Sequence, residues 1–71
     1  MSYLRKLNDL LGEKPRFSLN QVEGIYRAET KVDNKKFVGF DENATEAVEI
    51  AAKMAVFYID PNNWVDDLVT F

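Results

Sequence analysis

The segment from residue 44 to residue 59 places the strongest constraint on how this chain folds. It contains no glycine or proline. It follows Asn43, a typical N-cap residue, with Glu46 three positions later as in a variant of the capping box. Residues of one stripe recur at helical spacing along it: Ala47, Ala51, Ala55 and Tyr58. Because small side chains shorten the distance between packed elements, the pattern predicts a helix lying close against a sheet or another helix.

A second, shorter helix is predicted over residues 2–11. Ser2 is a suitable N-cap, Gly12 stands where a C-cap glycine belongs, and Pro15 prevents continuation. The apolar residues of this segment follow helical spacing and form one stripe: Tyr3, Leu4, Leu7, Leu10 and Leu11. This helix therefore has one side to bury.

Three segments between the helices alternate between apolar and polar residues, namely 16–22, 25–32 and 35–40. Glu23-Gly24 and Asp33-Asn34 separate them, and the second pair is a hairpin signal in which asparagine replaces the preferred glycine. The pattern predicts a three-stranded antiparallel meander. The fold class is therefore α+β, with the order α-β-β-β-α and two helices packed on one face of the sheet.

The residue types that the chain lacks argue against an enzyme. Its 71 residues include no cysteine and no histidine, and no glycine-rich phosphate loop is present. These absences exclude thiolate and imidazole chemistry. The acidic residues Asp41, Glu42 and Glu46 lack the ligand spacing of a calcium loop, and helix capping explains them better. We expect no catalytic activity, no cofactor and no metal.

The location expected from the sequence is intracellular, either cytoplasmic or nuclear. The lack of cysteine fits a reducing compartment. No apolar run approaches the roughly 20 residues of a membrane span, and the first residues lack the apolar stretch of a signal peptide. We therefore expect no membrane partner. A start at Met1 is compatible with a short complete protein and with a piece of a longer one.

Separate motifs in the right order resemble the double-stranded-RNA-binding domain (dsRBD) family. Leu7-Asn8-Asp9-Leu10 is similar to the family's Leu-Asn-Glu-Leu, and Pro15-Arg16-Phe17 is similar to its Pro-x-Tyr/Phe. Residues 39–55 align without a gap to Gly-x-Gly-x-Ser-Lys-Lys-x-Ala-Lys-x-x-Ala-Ala-Lys-x-Ala. The resemblance spans roughly residues 3–59. It implies a dsRBD-like domain over residues 1–59, followed by a C-terminal extension over residues 60–71.

The resemblance also implies three RNA-contacting regions, and this sequence departs from each. Asp9 is shorter than the usual glutamate or glutamine, and residues 22–25 form a short loop without histidine. The three lysine positions of the last helix hold Ala44, Thr45 and Val48. Acidic residues surround them and would repel phosphate: Asp41, Glu42, Glu46 and Glu49. We expect duplex-RNA binding to be weak or absent.

A surplus of apolar residues instead favours protein–protein association, most simply as a homodimer, within an RNA-related protein or complex. Large apolar patches are rarely left bare. The candidate interface residues lie on the last helix and in the extension: Val48, Ile50, Met54, Phe57, Trp64, Val65, Leu68 and Phe71. The third strand is an edge that a partner can extend. The alternative is that the extension, with a possible short helix after Asp60-Pro61, covers the same residues within one chain.

Two further functions remain open from the sequence. One is duplex-RNA binding through a rearranged face, for which the candidate residues are Arg5, Lys6, Asp9, Lys35, Lys36 and Lys53. The other is a small free-standing protein, viral for example, that mimics the fold to occupy a partner of a host dsRBD. Basic residues of this kind more often form a solvated surface without a ligand.

Overall fold

The computed structural model of the chain describes residues 2–61. In chain order it contains α1 (Tyr3–Leu11), β1 (Ser18–Val22), β2 (Ile25–Val32), β3 (Lys35–Asp41) and α2 (Ala44–Ile59). The predicted α-β-β-β-α order and α+β class are confirmed. No helix in this part of the chain has both the length and the apolar character needed to cross a bilayer.

The helix ends follow the predicted capping residues. The Ser2 hydroxyl accepts a hydrogen bond from the Arg5 amide at 3.2 Å, and Gly12 ends α1 in the left-handed region with φ of 72°. At the start of α2, the Asn43 side chain accepts from the Glu46 amide at 3.1 Å. Each cap satisfies backbone groups that a helix terminus leaves without a partner.

The sheet is an antiparallel meander in the order β1-β2-β3, so β1 and β3 are its edges. Positive φ at Glu23 and Gly24, and again at Asp33 and Asn34, produces the two tight hairpin turns. β1 begins two residues later than the alternation predicts. The Arg16 carbonyl accepts a hydrogen bond from the Thr30 hydroxyl at 2.8 Å, and this bond satisfies the buried Thr30 side chain.

α2 packs across β2 and β3, and α1 packs beside α2. The larger core cluster lies where these elements meet and contains Leu7, Val32, Ala52, Ala55 and Val56. A smaller cluster joins Ala28 of the central strand to Ala47 and Ala51 of α2. The predicted alanine stripe is therefore buried. Tyr58, at the end of this stripe, is 39% exposed, and its ring centroid lies 5.5 Å from that of Phe37.

Gly39 of β3 is the point of closest approach between sheet and helix. A Cβ atom at this position would lie 2.7 Å from the Ala51 backbone nitrogen, 2.9 Å from Ile50 Cβ and even closer to the Ala47 carbonyl oxygen. Two of these three neighbours are backbone atoms, which cannot rotate away. α2 and β3 can therefore lie this close together only because Gly39 has no side chain.

We predict that Gly39→Ala destabilises the domain by about 3 kcal/mol, because overpacking displaces α2 from the sheet. The measurement is the free energy of unfolding from urea denaturation. Gly12→Ala is the control. Gly12 has a positive φ, but a Cβ added there would meet no atom within 4 Å, so this substitution should cost only about 1 kcal/mol. A loss at Gly39 no larger than at Gly12 contradicts this account of the contact.

Candidate interaction surfaces

One flank of α2 carries an exposed apolar stripe. Met54 is 46% exposed and Phe57 is 41% exposed, with Ile50 half-buried in line with them. A Cβ added to Gly39 would lie 2.9 Å from Ile50 Cβ, so this flank borders β3. We call Ile50, Met54 and Phe57 the α2 stripe. Three predicted interface residues are therefore brought together beside an edge strand.

Val48, the fourth predicted interface residue within the described chain, lies elsewhere. It packs against the smaller core cluster. It also lines a mainly apolar cleft of about 510 Å³, together with Leu4 of α1 and Pro15 and Phe17 of the following loop. Arg5 and Lys14 contribute to the wall of the same cleft. The structure thus divides the predicted interface between two flanks of α2.

The remaining interface candidates, Trp64, Val65, Leu68 and Phe71, lie outside the described residues. The predicted short helix after Asp60-Pro61 also falls there, and so does most of the predicted extension. The interface hypothesis is therefore examined on the α2 stripe and on β3.

The surface at the start of α2 is acidic. Glu42 and Glu46 are exposed, and the Asp41 carboxylate accepts a hydrogen bond from the Asn43 amide at 2.9 Å. Glu23 is exposed in the two-residue turn between β1 and β2. The resemblance implies lysine at three positions of α2, and of these Thr45 is exposed whereas Ala44 and Val48 are half-buried. The exposed carboxylates thus lie near positions at which the resemblance implies cations for duplex RNA.

Glu49 differs from the other acidic residues of this helix end, and the expectation that it would face phosphate was wrong. Its carboxylate accepts hydrogen bonds from the Ser2 hydroxyl at 2.9 Å, the Tyr3 amide at 2.6 Å and the Leu4 amide at 3.2 Å. It therefore caps the first turn of α1. No local signal predicts this role, because the partners lie 45 to 47 residues away in sequence.

The candidate RNA-binding residues fall into two separate groups. Arg5, Lys6 and Asp9 line a small cleft of about 300 Å³ on α1, and the Lys53 ammonium lies 5.7 Å from the centre of the Tyr3 ring. Lys35 and Lys36 lie at the hairpin between β2 and β3. The Lys35 ammonium stands 5.5 Å from the centre of the Tyr58 ring, and the Lys36 ammonium 3.9 Å from a Glu29 oxygen.

Residues 2–61 contain no cluster of three or more side chains suited to holding a metal ion. A search with the sequence finds no matching protein-family model. It also finds no significant match among curated proteins. The resemblance to the dsRBD family therefore stays a prediction from the motifs quoted above.

We predict that Glu49→Ala lowers the free energy of unfolding by about 2 kcal/mol, because it removes a charged acceptor from three donors. Glu49→Gln retains one acceptor oxygen and should lose less. The matched control is Glu46→Ala on the same helix, whose exposed carboxylate makes only a helix-dipole contribution of about 0.5 kcal/mol. Amide hydrogen exchange should accelerate at Tyr3 and Leu4 in Glu49→Ala. Unchanged exchange there would show that the cap does not hold α1.

Proposed function

We propose that the chain is a non-catalytic module for protein–protein association, most simply homodimerisation, within an RNA-related protein or complex. The observation that carries this proposal is the α2 stripe beside the unpaired edge of β3. Met54 and Phe57 expose large apolar side chains on that flank. Beside them the outer backbone groups of β3 pair with no strand among residues 2–61.

Association across β3 combines two favourable interactions. Hydrogen bonds from a partner strand satisfy the edge and fix its register. Burial of apolar surface on the adjacent helix then supplies the driving force, at roughly 25 cal/mol for each Å² removed from water. A two-fold axis would place the same strand and stripe of both subunits in contact, as in most homodimers.

The other edge strand is a poorer candidate. All five residues of β1 are exposed, and its apolar members, Leu19 and Val22, are separated from α2 by the central strand. Leu19 pairs with Ala28 and lies on the same face of the sheet, whereas Val22 pairs with Ile25 near the turn. The apolar cleft near the start of β1 is lined by the half-buried Leu4, Phe17 and Val48, so β1 has less exposed apolar helix surface beside it than β3 has.

The link to RNA biology rests on the family resemblance alone, because fold does not determine function. Duplex-RNA binding through a weakened face is the alternative. The exposed acids Glu42 and Glu46 at the start of α2 weigh against it, since each carboxylate opposes the phosphate contacts that supply most of the affinity. The separation of Lys35 and Lys36 from Arg5 and Lys6 weighs against it as well.

We predict that the chain dimerises and that Met54→Asp raises the dimer dissociation constant about tenfold or more, because an interface cannot bury the new charge without a partner. Light scattering over a concentration series at low and high salt measures this. The dimer of the unmodified chain should persist in high salt. Phe57→Asp should act in the same direction.

Thr45→Asp is the matched control, since it adds the same charge to an exposed position of the same helix, away from the α2 stripe. The solution mass of Thr45→Asp should show the same dimer as that of the unmodified chain. Circular dichroism establishes that each variant is folded. A monomeric unmodified chain at all concentrations refutes homodimerisation, and unfolding of Met54→Asp alone would identify Met54 as a core residue.

A further inference from the structure

The face of the sheet opposite α2 carries an unusual arrangement of charge. We call this side the open face. The register places Glu29 opposite Val38, Arg27 opposite Phe40, and Lys31 opposite Lys36. Because side chains alternate along a strand, all six lie on the open face, away from the buried Ala28 and Thr30. Lysine is therefore paired directly with lysine across two hydrogen-bonded strands.

The cations on this face outnumber the carboxylates available to them. Glu29 accepts from Arg27 at 2.8 Å and lies 3.9 Å from Lys36. Lys31, which is exposed, forms no ion pair with any of the described residues. Like charges directly opposite each other destabilise a sheet. The sheet therefore retains a repulsion that a bound anion would relieve.

Two further cations extend the charge beyond the sheet. Lys14 and Arg16, in the connection from α1 to β1, line a cleft of about 670 Å³ together with Lys31. Glu13 contributes the one carboxylate in its lining. The basic band thus consists of Lys14, Arg16, Arg27, Lys31 and Lys36. Lys35 is not part of the band, because it pairs with the buried Val32 and its ammonium lies on the helix side of the sheet, 5.5 Å from the centre of the Tyr58 ring.

This band contrasts with the rest of the molecule. It contains five cations against the carboxylates of Glu13 and Glu29, although the whole chain has a net charge of −3. Adjacent strands lie about 4.8 Å apart, so Lys31 and Lys36 form a short line of charge across the sheet. A local positive surface on an acidic protein attracts polyanions electrostatically.

The exposed side chain of Phe40 indicates which class of polyanion fits this surface. It is 59% exposed on the open face, and it is the cross-strand neighbour of Arg27. An exposed aromatic ring beside cations is the arrangement that binds unpaired bases by stacking while lysines and arginines contact the phosphates. A duplex hides its base faces, and a flat sheet does not enter its grooves. We propose that the open face binds single-stranded nucleic acid through the basic band and Phe40.

This site is separate from the proposed association surface. Pairing across β3 uses backbone groups that lie in the plane of the sheet, and the α2 stripe is on the other side of it. The open face therefore remains accessible in a monomer and in a β3-paired dimer. Failure of either proposal leaves the other intact.

The test is fluorescence anisotropy of the full 71-residue chain with a labelled uridine strand of about 12 nucleotides, within the usual site size. Binding is measured at about 50 and 200 mM salt. Lys31→Gln/Lys36→Gln should weaken binding about tenfold and reduce the logarithmic salt slope by about 1.4. Phe40→Ser should weaken binding about fivefold or more, and Val22→Ser, also exposed, should not.

Lys6→Gln/Lys53→Gln is the charge-matched control on the two helices, since neither residue lines a cleft with Lys14, Arg16 or Lys31, and it should bind as the unmodified chain does. Loss of binding in this control equal to that of Lys31→Gln/Lys36→Gln would overturn the proposal. So would tighter binding of a duplex of the same length, or no binding of the strand at low salt. Displacement by polyglutamate at equal charge concentration would also overturn it, because the surface would then bind acidic polymers without regard to bases.

Discussion

The close contact between α2 and Gly39 determines how the rest of the molecule is arranged. Because no side chain separates them, the Ala47 and Ala51 backbone lies directly on β3. This contact fixes the rotation of α2 about its axis. One flank then turns Glu49 towards the start of α1, and the other turns Met54 towards the sheet edge. The contact between Gly39 and the alanine stripe thereby determines the positions of both the Glu49 cap and the α2 stripe.

The acidic residues near the start of α2 show how charge is divided between stability and recognition. The Glu49 carboxylate accepts hydrogen bonds from the first turn of α1, so its charge stabilises the fold. Glu42 and Glu46 remain exposed at this end of the domain, where their charges would oppose a phosphate. The cations gather at the other end of the sheet, around Lys31 and Lys36. The surface proposed here for nucleic acid is therefore different from the one that the resemblance implies.

Local signals predicted most of the fold, and contacts distant in sequence account for the differences. The bounds of α2 were predictable because Asn43 and an uninterrupted run define them, and the two-residue turns set the register that pairs Lys31 with Lys36. β1 begins later than expected, and the Thr30 hydroxyl bonds the carbonyl of Arg16 just before it. Helical spacing grouped the apolar residues of α2, but only packing against α1 and β3 shows which flank each one occupies.

The two proposed surfaces are compatible in one assembly. If two β3 strands pair antiparallel, their two-fold axis runs perpendicular to the sheet, and both open faces remain on the same side. The α2 helices then lie together on the opposite side, where the stripes that border each β3 edge face one another across the axis. A continuous six-stranded sheet would present two basic bands on one surface. A strand long enough to reach both bands would then bind the dimer more tightly than a monomer, through effective concentration.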